Sequence, residues 1–170
     1  MVIKMRELRI SVRALVEFVL RSGDIDHRFT SHSRALEGTR LHQKIQKNYG
    51  QGFESEVPLR MEVPLEDGKL IIEGRCDGIY RDESQVMVDE IKSTQKTREE
   101  LESHPNDRHW AQVYFYGYIL CQAESLEEVT LRLTYITLEE EAIFYFERTL
   151  DAQTLAEKVQ PIIDQYLQLQ

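Results

Sequence analysis

The stretch KLIIEGRCDGIYRDESQVMVDEIKS, residues 69–93, decides how this chain folds. It contains two segments rich in Ile and Val, 69–80 and 85–93, with a polar turn at 81–84 between them. Two such segments joined by a short polar turn are typical of an antiparallel β-hairpin. Acidic and basic residues interrupt both apolar segments, and a charge inside an otherwise core-like strand needs a compensating partner. We therefore expect a functional site on this hairpin.

The predicted register of the hairpin brings two acidic side chains together. With the turn centred between Glu83 and Ser84, opposed residues have numbers that sum to 167. This register pairs Asp77 with Glu90. Opposed Cβ atoms lie about 5 Å apart, and two like charges there repel each other unless a cation lies between them. Carboxylate oxygens suit Mg²⁺ or Mn²⁺. Lys92 lies two residues beyond Glu90, hence on the same face, where it could hold a water or stabilise a developing anion.

The same pattern also has a purely structural interpretation. Asp77 and Glu90 could be separate solvent-facing residues with Lys92 as their ion-pair partner, and the register could slip by one residue. The carbonyl of Ile91 could supply one more oxygen ligand, which supports the metal-site interpretation. The apolar residues around the charges support it too, because charges in a core-like strand need a reason; these residues are Ile71, Ile72, Val86, Val88 and Ile91.

The other elements follow from apolar periodicity and from turn signals. Helices are predicted over 12–22, 33–49, 107–122 and 151–168, and further strands over 53–63, 128–138 and 141–149. Ser11 and Asp151 are the expected N-caps, Gly23 and Gly50 are the expected helix ends, and Pro58 indicates an edge strand or a bulge. Residues 94–106 are polar and are predicted to form a loop. The order α-α-β-β-β-α-β-β-α predicts an α/β fold with a mixed central β-sheet flanked by helices.

Length, charge and cysteine content limit the classes of function. The chain of 170 residues is long enough for one domain, 1–170, with a single core. Its net charge is −9, yet residues 1–50 carry ten Lys and Arg against five Asp and Glu. An extended basic surface is therefore excluded, whereas one local contact with nucleic acid is not, and the acidic remainder could simply confer solubility. We expect no membrane span and no secretory signal, and place the protein in the cytoplasm.

One histidine is a candidate ligand on the second predicted helix. Gly38, His42, Ile45 and Tyr49 share a face at spacings of three and four residues. Gly38 leaves the space one turn before His42 uncrowded, at a cost of about 1 kcal/mol in helix propensity. His42 is thus either a metal ligand or a hydrogen-bonded core histidine.

The helix predicted at 107–122 carries a polar and aromatic row beside its apolar stripe. His109, Gln112 and Tyr116 form this row at spacings of three and four residues. Such a row could contact a phosphate or stack on an unpaired base. It could equally be the interfacial edge of a helix. Arg40, in the basic N-terminal segment, is counted with these three as a substrate-binding candidate.

In order along the chain, these residues resemble the motifs of RecB-like nucleases of the PD-(D/E)xK superfamily. The matching patterns are Gly-x-x-x-His at 38–42, Gly-x-x-Asp at 74–77, Glu-x-Lys at 90–92 and Gln-x-x-x-Tyr at 112–116. Each pattern is weak alone, but four in the right order on the expected elements are specific. The segments SVRALVEFVLRSGDID and LEGTRLHQKIQ also resemble the N-terminal nuclease module of some bacterial DinG-type helicases.

The resemblance implies a restriction-endonuclease-like core and a metal-dependent deoxyribonuclease that acts on single-stranded DNA or ends in repair, recombination or helicase-associated processing. His42, Asp77, Glu90 and the Ile91 carbonyl would bind Mg²⁺ or Mn²⁺, and Lys92 would position the attacking water. Gln112 and Tyr116 would orient the strand. The alternatives are a cleavage-inactive nucleic-acid-binding module of the same fold and an unrelated metal or scaffold protein.

Two further expectations come from departures from the family. Some relatives hold an iron–sulfur cluster with four cysteines that flank the core. Cys76 and Cys121 are only two and lie inside it, so we expect no iron–sulfur cluster. The chain has no Gly-rich phosphate-binding loop, so a helicase could only lie on a longer parent chain or be a partner.

Overall fold

The computed structural model describes residues 4–21 and 32–170. Within these ranges the elements are β1 (Arg6–Ser11), α1 (Val12–Leu20), α2 (His32–Lys47), β2 (Phe53–Leu65), β3 (Gly68–Arg81), β4 (Val86–Thr94), α3 (Arg98–Ser103), α4 (Asp107–Glu124), β5 (Glu128–Thr137), β6 (Ile143–Asp151) and α5 (Ala152–Gln168). No helix among them is long and apolar enough to cross a membrane.

The strands form one mixed sheet built around β3. Strand β2 is antiparallel to β3 along almost its whole length and forms the edge that Pro58 indicated. On the other side, the first half of β3 pairs in parallel with β1, and the second half pairs antiparallel with β4. Strand β5 is parallel to β4 and antiparallel to β6. The predicted class, α/β with a mixed sheet flanked by helices, is confirmed.

Two hydrophobic clusters hold helices on opposite faces of the sheet. The larger cluster packs α1, α4 and α5 against the sheet and includes Leu133 and Tyr135 of β5. The smaller one joins Leu41 and Ile45 of α2 to Ile91 and Ile136. Because successive residues of a strand point to opposite faces, Tyr135 and Ile136 show that β5 is covered on both sides.

The hairpin register is confirmed. Gly78 pairs with Asp89 and Ile79 with Val88, and both pairs sum to 167. The ladder between β3 and β4 ends at Gly78, while β1 pairs with β3 only as far as Glu73. Residues 74–77 of β3 therefore lie in a gap in the described sheet, where β1 has ended and β4 has turned away. The candidate site is in this gap.

Two elements differ from the sequence-based expectation. Strand β1 was not predicted, although Leu8 and Ile10 alternate with charged residues and pack on the larger core cluster. The predicted loop at 94–106 is wrong in part, because it contains α3. Thr97 and Glu100 form a reciprocal capping box at the start of this helix. The box satisfies two backbone N–H groups and so stabilises a helix of only six residues. The observed order is therefore β-α-α-β-β-β-α-α-β-β-α.

The predicted helix caps have separate outcomes. Ser11 accepts a hydrogen bond from Ala14 N at 3.0 Å, and Asp151 accepts one from Thr154 N at 2.7 Å, so both N-caps are confirmed. Helix α2 ends at Lys47, a few residues before Gly50. The predicted end of α1 at Gly23 lies outside the described residues.

Candidate active site

The two carboxylates of the hairpin meet where β3 and β4 separate. Asp77 Oδ2 accepts a hydrogen bond from the Ile91 N–H at 2.7 Å, and Glu90 Oε1 accepts one from the Asp77 N–H at 3.4 Å. Each side chain thus binds the backbone of the other strand at a position where the ladder bonds have stopped. The divergence of the strands opens room for these side chains while keeping them side by side.

Glu90 is a buried carboxylate whose charge is only partly compensated. It is 4% exposed, and its nearest cation, Lys92 Nζ, lies 3.6 Å from Oε2. Burial raises the pKa of Glu90 well above its usual range, with Lys92 opposing this effect and Asp77 adding to it. A buried acidic pair that one lysine does not neutralise suits an additional cation.

His42 reaches this pair from α2. Its Nδ1 lies 3.9 Å from Asp77 Oδ1. Burial lowers the pKa of His42, with Asp77 opposing this effect, and so favours the neutral imidazole that binds metal ions. Helix α2 is fixed by Gln46, whose Nε2 donates to the Asp77 carbonyl at 3.0 Å, and by packing of Ile45 on Ile91.

Lys92 is positioned by α4. Its Nζ donates to Gln112 Oε1 at 2.6 Å, and Gln112 Nε2 contacts the Tyr116 hydroxyl at 3.5 Å. Tyr116 in turn lies close to β3 at Gly74, where an added Cβ would be 2.9 Å from the hydroxyl oxygen. The glycine of the Gly-x-x-Asp pattern therefore makes space for the tyrosine of the Gln-x-x-x-Tyr pattern.

The structure thus brings together six of the residues singled out in the sequence: His42, Asp77, Glu90, Ile91, Lys92 and Gln112. Tyr116 follows them through its contact with Gln112. In the described part of the chain, no three His, Cys, Asp or Glu side chains are placed closely enough to form a metal-binding group. His42 Nδ1 lies 3.9 Å from Asp77 Oδ1, and Glu90 Oε1 accepts from the Asp77 N–H. In chemical type, an imidazole with two carboxylates is a donor set that suits a divalent cation.

Two candidate residues lie outside this row. Arg40 is on the surface of α2, where it donates to Glu37 at 2.6 Å and to Glu141 at 3.2 Å. His109 lies one turn before Gln112, and its Nδ1 is 2.8 Å from the Tyr135 hydroxyl. The described ion-pair partners of Arg40 are thus Glu37 and Glu141 rather than the carboxylate pair.

Sequence reasoning missed a second polar network directly behind the site. Asp89, fully buried, accepts hydrogen bonds from Tyr49 Oη at 2.5 Å, Arg132 Nε at 2.9 Å and Thr134 Oγ1 at 2.5 Å. An added Cβ at Gly78 would lie 2.6 Å from Tyr49 Oη, so this glycine makes room for Tyr49, two residues after the end of α2. The network joins β4 to the segment after α2 and to β5, one residue before Glu90.

The chain belongs to the PD-(D/E)XK nuclease superfamily, whose match extends over residues 6–169. Nucleases of this superfamily generally use divalent metal ions. The superfamily to which the motifs pointed is therefore confirmed.

Two solved structures are similar in fold. One is described as "Crystal structure of SSO0001", with 23% identity and a TM-score of 0.57, over 94% of this chain and 77% of that one. The other is a phage-related exonuclease from Haemophilus somnus 129PT, with 11% identity and a TM-score of 0.47, over 90% and 76% of the two chains. A comparison with curated proteins found no match.

Proposed function

We propose that this protein is a metal-dependent deoxyribonuclease that hydrolyses phosphodiester bonds of DNA, with Asp77, Glu90 and Lys92 as its catalytic residues. The observation that carries the proposal is the convergence of these three side chains in the gap between β3 and β4, with Lys92 held by Gln112. A module that only binds nucleic acid has no need of buried carboxylates at the position of the phosphate, because they repel it.

The metal site of the proposal consists of His42, Asp77, Glu90 and the carbonyl of Ile91. A bound Mg²⁺ or Mn²⁺ would polarise the scissile phosphate and make a water easier to deprotonate. The support comes from the buried charge of Glu90, from the neutral form of His42 that burial favours, and from the oxygen-rich donor set.

The roles of the remaining residues follow from their contacts. Lys92 keeps its ammonium between Glu90 and Gln112, where it can orient a water or stabilise the negative charge that the phosphate gains. Gln112 and Tyr116 are assigned to orient the strand. His109 and Arg40 are assigned as outer contacts, and Arg40 would have to leave its carboxylate partners to make one.

The finer parts of the proposal concern the biological setting. We assign a RecB-like nuclease, similar to the module of DinG-type helicases, that prefers single-stranded DNA or ends. It would act in the cytoplasm during repair, recombination or helicase-associated processing, with a helicase on the same parent chain or as a partner. The order of the four motifs over residues 38–116 supports the RecB-like assignment, and the segments SVRALVEFVLRSGDID and LEGTRLHQKIQ support the similarity to the DinG-type module.

A cleavage assay with labelled single- and double-stranded DNA tests the proposal. The wild type is compared with Asp77→Asn and Lys92→Ala in Mg²⁺, in Mn²⁺ and in a chelator. Lys69→Ala is the control, because Lys69 is an exposed lysine of the same strand as Asp77, paired with Glu62. Metal-dependent cleavage that both variants lose and the control keeps supports the proposal.

Three other results overturn the proposal. Cleavage retained in both variants would refute the assigned residues. A gel shift by the wild type without cleavage in any metal would identify a binding module instead. Neither binding nor cleavage would indicate an unrelated function.

A further inference from the structure

A cavity of about 200 Å³ lies beside the candidate site, between the start of α4 and the outer strands β5 and β6. Its apolar walls include Pro105, Trp110, Tyr135 and Phe146, and Arg148 stands at its rim. Drug-sized ligands usually occupy about 300–1,000 Å³. This cavity therefore suits something smaller, such as a single heterocyclic ring system.

The cavity is next to the lysine of the site. Tyr135, in its wall, is the direct neighbour of Lys92 across the parallel ladder between β4 and β5. His109, whose Nδ1 lies 2.8 Å from the Tyr135 hydroxyl, is one helical turn before Gln112, which binds the Lys92 ammonium. A polynucleotide whose phosphate lies at Lys92 would thus have a neighbouring nucleotide at the mouth of the cavity.

The chemistry of the walls suits a flat, unpaired base. Phe146 is half-buried and offers aromatic surface beside the buried rings of Trp110 and Tyr135, and base–aromatic stacking tolerates any base because every base has a π-face. Glu147 also lines the cavity, together with Glu102. As hydrogen-bond acceptors they suit the exocyclic amino groups of bases, while their charge disfavours entry of a phosphate.

Arg148 is placed to bind the backbone outside the cavity. Its Cζ lies 3.8 Å from the centroid of the Trp110 ring, and its Nη1 donates to the Tyr114 hydroxyl. Among the described residues, no acidic side chain forms an ion pair with Arg148. A guanidinium stacked on an indole keeps N–H groups at its edge that can bind a phosphate.

We propose that this cavity is a subsite for one unpaired nucleobase of the strand that enters the Asp77–Glu90–Lys92 site. The inference rests on the proposed nuclease function and deepens it. A base can enter the cavity only when it is released from its partner and from the stack. The subsite therefore selects single strands and frayed ends over intact duplex.

Trp110 makes the subsite directly observable. It is the only tryptophan of the chain, so intrinsic fluorescence reports on the cavity wall. We would titrate the protein, in a chelator to prevent cleavage, with a single-stranded oligonucleotide of about twelve nucleotides and with versions that carry one abasic position each. The expected result is saturable quenching by the intact strand and about tenfold weaker binding when the abasic position falls at one particular place.

Three variants separate the subsite from general effects. Phe146→Leu removes an aromatic wall but keeps apolar volume, and Arg148→Met keeps packing on Trp110 but removes the charge. Tyr145→Leu is the matched control, because it lies on the same strand with its side chain on the opposite face, 48% exposed. Phe146→Leu should lose the dependence on the abasic position, Arg148→Met should weaken binding at every position, and Tyr145→Leu should behave as the wild type. Melting temperatures confirm that all three are folded.

The outcomes distinguish the subsite from the nuclease activity. Cleavage of DNA without quenching and without any abasic-sensitive position would overturn the subsite and leave the nuclease proposal standing. Saturable, position-dependent quenching without cleavage in any metal would support the subsite and overturn the nuclease. An abasic effect that survives in Phe146→Leu would overturn the assignment to this cavity.

Discussion

Asp89 and Glu90 are neighbouring acidic residues that should respond in opposite ways when each is changed to its amide. Asp89 is fully buried and accepts hydrogen bonds from Arg132, Tyr49 and Thr134. Asp89→Asn removes the negative charge that faces the Arg132 guanidinium. Breaking a buried ion pair by changing one partner costs about 3–5 kcal/mol.

This loss of folding free energy should lower the melting temperature by a measurable amount. In a protein of this size, each kcal/mol shifts the melting temperature by about 2–4 °C. Asp89→Asn should therefore lower it by about 6–20 °C. Tyr49→Phe removes only one hydrogen bond to the Asp89 carboxylate, worth about 1.5–3 kcal/mol, and should lower it by about 3–12 °C.

Glu90→Gln should leave the melting temperature unchanged or raise it. Burial raises the pKa of Glu90, so the folded protein holds this proton more tightly than the unfolded chain does, and the charged form reduces stability. Glutamine has the same shape without the charge, and its oxygen can still accept from the Asp77 N–H. The same variant should lose cleavage, because a neutral amide is a weaker ligand for a divalent cation.

Thermal unfolding in a chelator at neutral pH, followed by circular dichroism, measures both variants, and the cleavage assay is run in parallel. The expected order of melting temperatures is Asp89→Asn lowest, Tyr49→Phe next, and Glu90→Gln equal to or above the wild type. If Glu90→Gln lowered the melting temperature as much as Asp89→Asn does, the reasoning would be refuted. That result would mean that the charge of Glu90 serves a structural ion pair with Lys92, 3.6 Å away, rather than a cation.

Three further predictions concern the same region. Mg²⁺ at ten times its dissociation constant should raise the wild-type melting temperature by about 3–5 °C and leave Glu90→Gln unchanged, whereas an equal rise in both would place the ion elsewhere. Gln112→Leu should lower kcat about ten- to a hundredfold, because Lys92 loses its 2.6 Å acceptor; an unchanged kcat would contradict this role. Gly78→Ala should destabilise the protein by about 1–3 kcal/mol, measured by denaturant unfolding, because the new methyl group would overlap Tyr49; wild-type stability would contradict the close approach of Tyr49 to β3.

The hairpin and its site could be predicted because the information is local. A polar turn between two apolar segments fixes the register, and a fixed register determines which side chains face each other. That is why the sequence placed Asp77 opposite Glu90, although the ladder itself ends one pair earlier, at Gly78 and Asp89. The spacing of Gln112 and Tyr116 likewise follows from helix geometry alone, although only the fold shows that Gln112 binds Lys92.

The network behind the site could not be predicted, because its members are far apart in sequence. The partners Arg132 and Thr134 follow Asp89 by 43 and 45 residues, on a strand whose parallel pairing with β4 depends on the intervening helix α4. Tyr49 was predicted to share a helix face with His42, but α2 ends at Lys47, so Tyr49 lies beyond the helix and its hydroxyl bonds Asp89 instead. Strand β1 was missed for the same reason, since its partner is the later strand β3.

Helix α3 is different, because its signal was present in the sequence. Thr97-Arg98-Glu99-Glu100 has the form of a capping box, in which a threonine is followed three residues later by a glutamate. The polar composition of residues 94–106 outweighed that motif in the prediction of a loop. Leu101, 4% exposed, shows that even a short polar helix was anchored to the core.

The gap in the sheet explains why the acidic residues are tolerated there. Where β3 and β4 separate, the N–H groups of Asp77 and Ile91 lose their strand partners, and the side chains of Glu90 and Asp77 replace them. Without a metal, the two carboxylates therefore accept hydrogen bonds from the backbone, and these bonds keep the side chains in place. A cation has to compete with these hydrogen bonds for the same oxygens, which lowers its affinity. It follows that Asp77→Asn isolates the chemistry, since its amide oxygen still accepts from Ile91. Alanine at this position would also leave a buried N–H unsatisfied, and a loss of cleavage would then mix chemistry with folding.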